Sequence, residues 1–165
     1  MSCCKNDFPQ TVPIQEIVAE TPQVKTYVLP LSVGALPGQF VNVWVPGVNE
    51  RPISVAFDDG KTLRLAIAAV GKTTKKLSKM KVGEYIGVRG PYGTHFAWKP
   101  KNRIAMIAGG YGSAPLYFAA YHAVKQGCTV DFFIGARSKK YLLYPVLIKK
   151  LRREKLHIAT DDASE

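Results

Sequence analysis

Residues 103–116 read RIAMIAGGYGSAPL, a stretch in which an apolar strand runs into glycines and then into a helix. We predict the strand at Arg103–Ala108 and the helix at Ser113–Gln126. The alternation continues with a strand, a helix and a strand, predicted at Thr129–Ala136, Tyr141–Lys155 and Leu156–Thr160. Strands that alternate with helices imply a parallel sheet with right-handed crossovers.

The glycines between the first strand and its helix are candidates for phosphate binding. Glycine lets the backbone approach a pyrophosphate closely, and the start of a helix supplies unpaired N–H groups. A strand before and a helix after are the context that such a motif requires, so we predict a phosphate-binding turn at Gly109, Gly110 and Gly112. The alternative is a purely structural tight turn.

Upstream of residue 100 the sequence changes to short strands separated by turn formers. Six segments are rich in β-branched and aromatic residues: Val12–Thr21, Val24–Leu31, Gln39–Pro46, Ile53–Phe57, Thr62–Val70 and Tyr85–Arg89. A short amphipathic helix is predicted at Thr73–Met80. Six strands at this spacing with no long helix fit a small antiparallel barrel or sandwich. We predict an α+β chain of two parts, a six-stranded antiparallel β-barrel at 1–99 and the first half of a parallel α/β nucleotide-binding domain at 100–165.

The second part contains only three predicted strands and two predicted helices, which is half of a nucleotide-binding domain. Residues 160–165 have the composition of a loop that leaves a strand. We therefore expect the chain to be a fragment or a truncated gene product.

Composition excludes several classes of protein. The 165 residues are 47% hydrophobic and 21% charged, as in ordinary globular proteins rather than disordered or collagen-like ones. No apolar run approaches a membrane span, and the first residues lack the apolar core of a secretory signal, so we expect a cytoplasmic protein without membrane association.

The net charge of +11 favours an acidic partner or a phosphate-bearing ligand. A basic nucleic-acid-binding barrel is the alternative, disfavoured because no nucleic-acid fold signature accompanies the charge.

Two motifs in the predicted barrel carry groups suited to anions. In Arg51-Pro52-Ile53-Ser54, proline keeps the segment extended and spaces a guanidinium from a hydroxyl. On the tetrapeptide alone, a surface Arg-Pro at a strand start is the better explanation. In Val70–Thr74, a strand delivers Gly71 to two threonines that can cap a helix and leave N–H groups for an anion. A capped helix with a solvated, lysine-rich face explains this motif equally well.

Taken in order, seven motifs resemble those of the ferredoxin–NADP reductase superfamily. They are Pro37–Val41, Arg51–Ser54, Val70–Thr74, Gly90–Gly93, Gly109–Leu116, Phe133–Ser138 and Thr160–Asp162. Within the superfamily, the sequence is most similar to the electron-transfer subunits of type B dihydroorotate dehydrogenases, which serve pyrimidine biosynthesis. The resemblance covers nearly the whole chain, and several motifs in register are more specific than any one of them.

The resemblance implies an FAD-containing subunit that passes electrons between NAD(H) and a partner, either a catalytic dihydroorotate dehydrogenase subunit or another redox protein. It implies that Arg51 lies at the flavin diphosphate and Ser54 near the isoalloxazine edge, with Pro52 and Ile53 along the flavin. The segment that closes over the ribityl and pyrophosphate then contains Ala68, Val70, Gly71, Thr73 and Thr74. The glycine turn and the loop with Arg137 and Ser138 face a nicotinamide dinucleotide. No catalytic acid–base residue is assigned, because hydride and electron transfer do not require one.

Three departures and one ambiguity qualify this expectation. The glycine turn begins with Ala108 and has the bulky Tyr111 where the family has an aliphatic residue. Thr73 replaces a family glycine, so we expect a tighter pocket there. The family's cysteine cluster has no counterpart in Cys3, Cys4 or Cys128, so we predict that the expected iron–sulfur cluster is not ligated within residues 1–165. The cations of 137–140 can meet the 2′-phosphate of NADP, but NAD is preferred because NAD-using relatives carry Gly-Ala-Arg-Ser here too. A related NAD(P)H-dependent ferredoxin or sulfur reductase and a non-catalytic remnant stay open as alternatives.

Overall fold

The computed structural model of the protein describes residues 8–151 and 154–165, so Cys3 and Cys4 lie outside the described residues. The described residues upstream of Pro100 form eight strands and one short helix. The strands are β1 (Gln10–Pro13), β2 (Glu16–Ala19), β3 (Val24–Leu29), β4 (Phe40–Val45), β5 (Asn49–Ser54), β6 (Phe57–Asp58), β7 (Leu63–Ala68) and β8 (Tyr85–Tyr92), and the helix is α1 (Lys72–Leu77).

These strands form two antiparallel sheets, with strand orders β1-β8-β4-β5 and β2-β3-β7-β6. Burial alternates along β4 and β7, so that each strand turns one face inward. The inward side chains form one core, which includes Tyr27, Leu29, Val41, Leu65 and Ile86. The predicted antiparallel barrel is thus confirmed as a barrel-like pair of sheets.

The strand count and two strand boundaries differ from the prediction. The predicted strand Val12–Thr21 is two strands, β1 and β2, which lie in different sheets. Predicted strand Ile53–Phe57 covers only the end of β5 and the start of β6, so Arg51 and Pro52 lie inside β5 rather than ahead of a strand. Proline is tolerated there because β5 is the edge strand of its sheet among the described residues.

Downstream, the chain alternates strands with helices as predicted. The elements are β9 (Arg103–Gly109), α2 (Ser113–Lys125), β10 (Thr129–Ala136), α3 (Pro145–Lys149) and β11 (Glu154–Thr160). The three strands are parallel, in the order β11-β10-β9. Both helices pack on one face of this sheet, where Met106 and Phe132 are buried. Ile107 points from the opposite face and is 79% exposed.

The helix predicted at Tyr141–Lys155 is wrong. Only Pro145–Lys149 is α-helical, a 3-10 turn covers Lys139–Tyr141, and β11 begins before the predicted helix would end. Proline fits only the first turn of a helix, because it has no N–H and its ring clashes with the preceding turn. Tyr144, which precedes it, is in the left-handed region at φ 65°, so the chain cannot run through as one helix.

The two parts pack directly against each other. Phe118 of α2 is fully buried and belongs to the core of the barrel, where its ring lies 5.4 Å from the ring of Phe57. The hydroxyls of Thr26 in β3 and Tyr144 also form a hydrogen bond of 2.6 Å across this interface. The longest helix among the described residues, α2, has 13 residues, too few to cross a membrane.

Candidate functional site

A cavity of about 320 Å³, here named the barrel cavity, lies where the barrel meets the glycine turn. Its lining comes from the end of β5, the end of β7 and the start of α2. These residues are Pro52, Ile53, Ser54, Ala66, Ile67, Ala68, Val70, Tyr111, Gly112 and Pro115. Six of the predicted cofactor-binding residues are therefore neighbours in space, namely Pro52, Ile53, Ser54, Ala68, Val70 and Gly112.

Arg51 does not line the barrel cavity. Its side chain is exposed, and the Nη1 group donates a hydrogen bond of 3.0 Å to the carbonyl of Glu50. Ser54, three residues later on the same edge strand, does line the cavity. The structure therefore brings the serine of the motif to the cavity and leaves its guanidinium on the adjacent surface.

The loop before α1 is organised as a helix cap. The Thr74 hydroxyl accepts hydrogen bonds from the N–H groups of Val70 and Gly71, at 3.1 and 3.0 Å. Those two N–H groups are thus already paired in this conformation. Thr73 is buried, its hydroxyl has no hydrogen-bond partner among the described residues, and it does not line the barrel cavity. Because the Thr73 side chain packs inside the protein and does not line the barrel cavity, the expectation that it tightens a cofactor pocket stays a prediction.

A second cavity of about 580 Å³, here named the strand-end cavity, lies at the carboxyl ends of the parallel strands. Its lining residues come from the turn after β9, the end of β10, the end of β11 and the connection between β2 and β3. They are Thr21, Gln23, Val24, Gly110, Tyr111, Gly135, Ala136, Arg137, Tyr141, Ala159, Thr160 and Asp161. In open α/β sheets, ligands bind outside the carboxyl ends of the strands.

Tyr111 of the glycine turn borders both cavities and is 62% exposed. The two cavities are therefore neighbours that share Tyr111 in their linings.

The turn leaves room for a ligand at its glycines. A Cβ built on Gly109 or Gly112 meets no heavy atom of the described residues within 4 Å, and neither residue has a positive φ. Neither packing nor backbone conformation therefore requires glycine at these two positions. Gly110 differs, because its φ of +52° favours glycine on conformational grounds alone. Open space beside an unobstructed backbone is what a closely approaching ligand needs.

The positively charged side chains near the strand-end cavity differ in whether they can contact a bound ligand. Arg137 is exposed and lines the cavity. Lys139 instead forms an ion pair with Glu165, whose pKa it lowers through that contact. The Ser138 hydroxyl is buried without a hydrogen-bond partner among the described residues, and it does not line this cavity. Arg137 is thus the cation of the 137–140 run that faces the cavity.

Sequence reasoning missed several residues that line the strand-end cavity. Thr21 and Gln23 come from the barrel, and Tyr141 and Asp161 follow β10 and β11. Thr21-Pro22 is a turn-forming pair in the sequence, and nothing local to it indicates that this turn reaches the parallel sheet. In the part of the chain that the structure describes, no group of three or more His, Cys, Asp or Glu side chains is placed to bind a metal ion.

Comparison with solved structures defines the fold class. An NADH-dependent reduced ferredoxin–NADP oxidoreductase, studied for flavin-based electron bifurcation, is 27% identical, with a TM-score of 0.81 over 92% of this chain and 57% of its own. The flavohaem-like FAD/NAD-binding domain of nitric oxide dioxygenase from Vibrio cholerae O1 biovar El Tor is 18% identical, with a TM-score of 0.81 over 92% of this chain and 73% of its own. The chain has the ferredoxin–NADP reductase-like fold that its motifs predict.

Sequence relatives narrow the class further. The probable electron transfer subunit of dihydroorotate dehydrogenase B (NAD(+)) from Methanocaldococcus jannaschii is 41% identical over 152 residues, which are 92% of this chain and 56% of that protein. The corresponding protein of Pyrococcus furiosus is 38% identical over 154 residues, 93% of this chain and 59% of its own. No protein-family profile matches the chain. The chain is a homologue of these electron transfer subunits and spans less than three fifths of their length, which confirms the resemblance predicted from its motifs.

Proposed function

We propose that the chain is an FAD-containing electron-transfer subunit that moves electrons between NAD(H) and a partner redox protein. The adjacency of the two cavities at Tyr111 carries this proposal. Hydride transfer requires donor and acceptor atoms in contact, and neighbouring cavities permit that contact. The proposal divides the chain into an FAD-binding domain at 1–99 and a partial NAD-binding domain at 100–165.

The residues around the barrel cavity fit a flavin. The cavity volume of about 320 Å³ lies at the lower end of the range for ligand pockets. Ile53 and Ala68 offer apolar surface to a ring system, and the Ser54 hydroxyl can donate a hydrogen bond to a ring heteroatom. The open space at Gly112 supports close approach of the cofactor. The exposed guanidinium of Arg51 is available to pair with the diphosphate.

The strand-end cavity fits a nicotinamide dinucleotide. Its volume of about 580 Å³ and its place at the carboxyl ends of parallel strands support this role. Gly110 begins the 3-10 turn Gly110–Gly112 that precedes α2, and the N–H groups at a helix start favour an anion. Arg137 supplies one cation at the cavity, while the ion pair of Lys139 with Glu165 uses a second. Among the described residues, Arg137 is the cation of the 137–140 run that lines the cavity, and a single lining cation suits the diphosphate of NAD better than the additional 2′-phosphate of NADP, so we propose NAD.

The chemistry is divided between the cofactor and the protein. A bound flavin supplies a ring system that is stable with zero, one or two added electrons. The residues of this chain bind and orient the cofactor and exclude water from it. The end of β5 positions Ser54, and Tyr111 covers the junction of the two cavities. The partner that exchanges electrons with this subunit is proposed by similarity to be a catalytic dihydroorotate dehydrogenase subunit, because the relatives are named as its electron transfer subunits.

Reconstitution with FAD tests the proposed function. The purified chain is incubated with FAD, freed of excess cofactor, and mixed anaerobically with NADH or NADPH while flavin absorbance is recorded. We expect retained flavin that NADH bleaches faster than NADPH. Absence of retained flavin contradicts the proposal. Full flavin occupancy with no reduction by NADH would instead identify a non-catalytic remnant.

A ferredoxin-linked reductase is the second candidate. The relative with the NADH-dependent ferredoxin–NADP activity shares 27% identity and a TM-score of 0.81 with this chain. Electron transfer from the NADH-reduced chain to ferredoxin, but not to a catalytic dihydroorotate dehydrogenase subunit, would favour this candidate. Transfer to the dehydrogenase subunit alone would favour the first.

A further inference from the structure

One wall of the strand-end cavity belongs to the barrel. The connection between β2 and β3 contributes Thr21, Gln23 and Val24 to the lining, opposite the ends of the parallel strands. Gln23 is exposed at this cavity. Its carboxamide carries two donors and an acceptor, so it can bind either a carbonyl or a hydroxyl of a ligand.

The β2–β3 turn is fixed by its own hydrogen bonds. The Thr21 hydroxyl accepts from the N–H groups of Gln23 and Val24, at 3.3 and 3.1 Å. The N–H of Ala69, at the end of the neighbouring β7, donates to the carbonyl of Gln23 at 3.1 Å. Hydrogen bonds therefore hold both the N–H and the carbonyl of Gln23, and this residue lines the cavity.

A buried bridge anchors the base of this turn to the α/β part. The hydroxyl groups of Thr26 and Tyr144 lie 2.6 Å apart although the residues are 118 positions apart in sequence. Thr26 is 4% exposed and Tyr144 is 6% exposed. Tyr144 adopts left-handed backbone, which a non-glycine residue adopts at a cost, so its surroundings must stabilise it there. The edge-on ring of Tyr117, 5.7 Å away, is part of those surroundings.

The same bridge has a carboxyl group beside it. Burial raises the pKa of Glu20, and a hydrogen bond from Thr26 acts in the opposite direction. Glu20 and Thr26 flank the β2–β3 turn, while Tyr144 follows the 3-10 turn that contains Tyr141. Thr26 and Tyr144 themselves line a separate cavity of about 290 Å³. The bridge therefore joins the strand that follows the β2–β3 turn to the segment that follows Tyr141, and the turn and Tyr141 both line the strand-end cavity.

We propose that the β2–β3 turn is a dinucleotide-binding element, with Gln23 in contact with the bound nucleotide and the Thr26–Tyr144 bridge positioning the turn. This inference rests on the proposed function, because it specifies how the NAD(H) site is completed. Gln23 is the contact residue, and Thr26 and Tyr144 are positioning residues that touch no ligand. The barrel then both binds the flavin and recognises the nucleotide that reduces it.

The test measures the Kd for NADH on the full chain loaded with FAD, beside the Kd for FAD and the melting temperature. Gln23→Ala should weaken NADH binding about fivefold, as for loss of one hydrogen bond. Gln15→Ala is the matched control, because Gln15 is an exposed glutamine that does not line the cavity. Thr26→Val and Tyr144→Phe should weaken NADH binding about threefold with FAD binding unchanged, and Thr26→Ser should restore the wild-type value because it keeps the hydroxyl.

The outcomes separate this inference from the proposed function. If the wild-type chain binds FAD and NADH but Gln23→Ala behaves as Gln15→Ala does, the inference is overturned and the proposed function stands. If Thr26→Val and Tyr144→Phe weaken FAD and NADH binding equally, the bridge has only a structural role, and the positioning claim is overturned. If the wild-type chain binds FAD but no NADH, the strand-end cavity is not a dinucleotide site, and the inference about the β2–β3 turn is overturned. Failure to bind FAD contradicts the proposed function itself.

Discussion

The substitution Gly112→Ala separates a role in cofactor binding from a role in folding. Gly112 has φ −63° and ψ −15°, which alanine adopts without strain. The added methyl would meet no heavy atom of the described chain within 4 Å. Since alanine also restricts the unfolded chain, we expect the free energy of unfolding to rise by about 0.4–1 kcal/mol. For a chain of this length, that corresponds to a melting temperature higher by about 1–4 °C.

The same methyl group would project where the proposed FAD lies, because Gly112 lines the barrel cavity. Overpacking of one methyl against a closely fitting group costs about 1–3 kcal/mol. The Kd for FAD should therefore rise by about 5- to 150-fold. Stability and binding are thus expected to move in opposite directions, which a general folding defect cannot produce.

Flavin fluorescence quenching measures the Kd for FAD, and thermal unfolding without cofactor measures stability. Gly34→Ala is the control, since Gly34 has φ +65° and does not line the barrel cavity. This control should lower the melting temperature and leave the Kd for FAD unchanged. A stabilised Gly112→Ala variant with wild-type FAD affinity would refute the assignment of the barrel cavity to flavin. A destabilised variant would refute the claim that the space at Gly112 is open.

Three further predictions concern the interface, acid stability and the nucleotide site. Phe118→Ala should lower the free energy of unfolding in urea by about 3–5 kcal/mol, because this buried ring of α2 packs in the barrel core. Both parts of the chain should unfold in one transition, and separate transitions would contradict this. Burial and the charge of Lys125 lower the pKa of His122 below 6.5. As the pH drops, the unfolded chain therefore binds the proton at a higher pH than the folded chain does. The free energy of unfolding then falls from about pH 6.5 down through the folded pKa. His122→Gln should flatten this pH dependence of the melting temperature between about pH 5 and 7.5. Arg137→Ala should raise the Kd for NADH up to about fivefold at low salt, with the difference shrinking as salt is added; equal affinities at low salt would exclude Arg137 from the site.

Local patterns predicted much of the fold. The strand, glycine turn and helix at 103–126 and the strand at Thr129–Ala136 match the structure closely, because periodicity and turn chemistry act over a few residues. The helix at Tyr141–Lys155 failed for a local reason as well, since Pro145 marks a helix start. The division of Val12–Thr21 into strands of two sheets was beyond local reasoning, because pairing partners decide it.

For the candidate site, sequence motifs identified individual residues but did not show which of them line the same cavity. Ser54 and Gly112 were expected in separate motifs, and folding places them around one cavity. Arg51 was expected with Ser54, yet only the serine lines that cavity. The approach of Gln23 to the parallel sheet depends on how the barrel docks, which burial of Phe118 and the Thr26–Tyr144 bridge decide. Interactions between residues close in sequence determine the turns, the strands and the glycine turn. The cavities form between segments that are distant in sequence, and side-chain packing decides which of these segments come together.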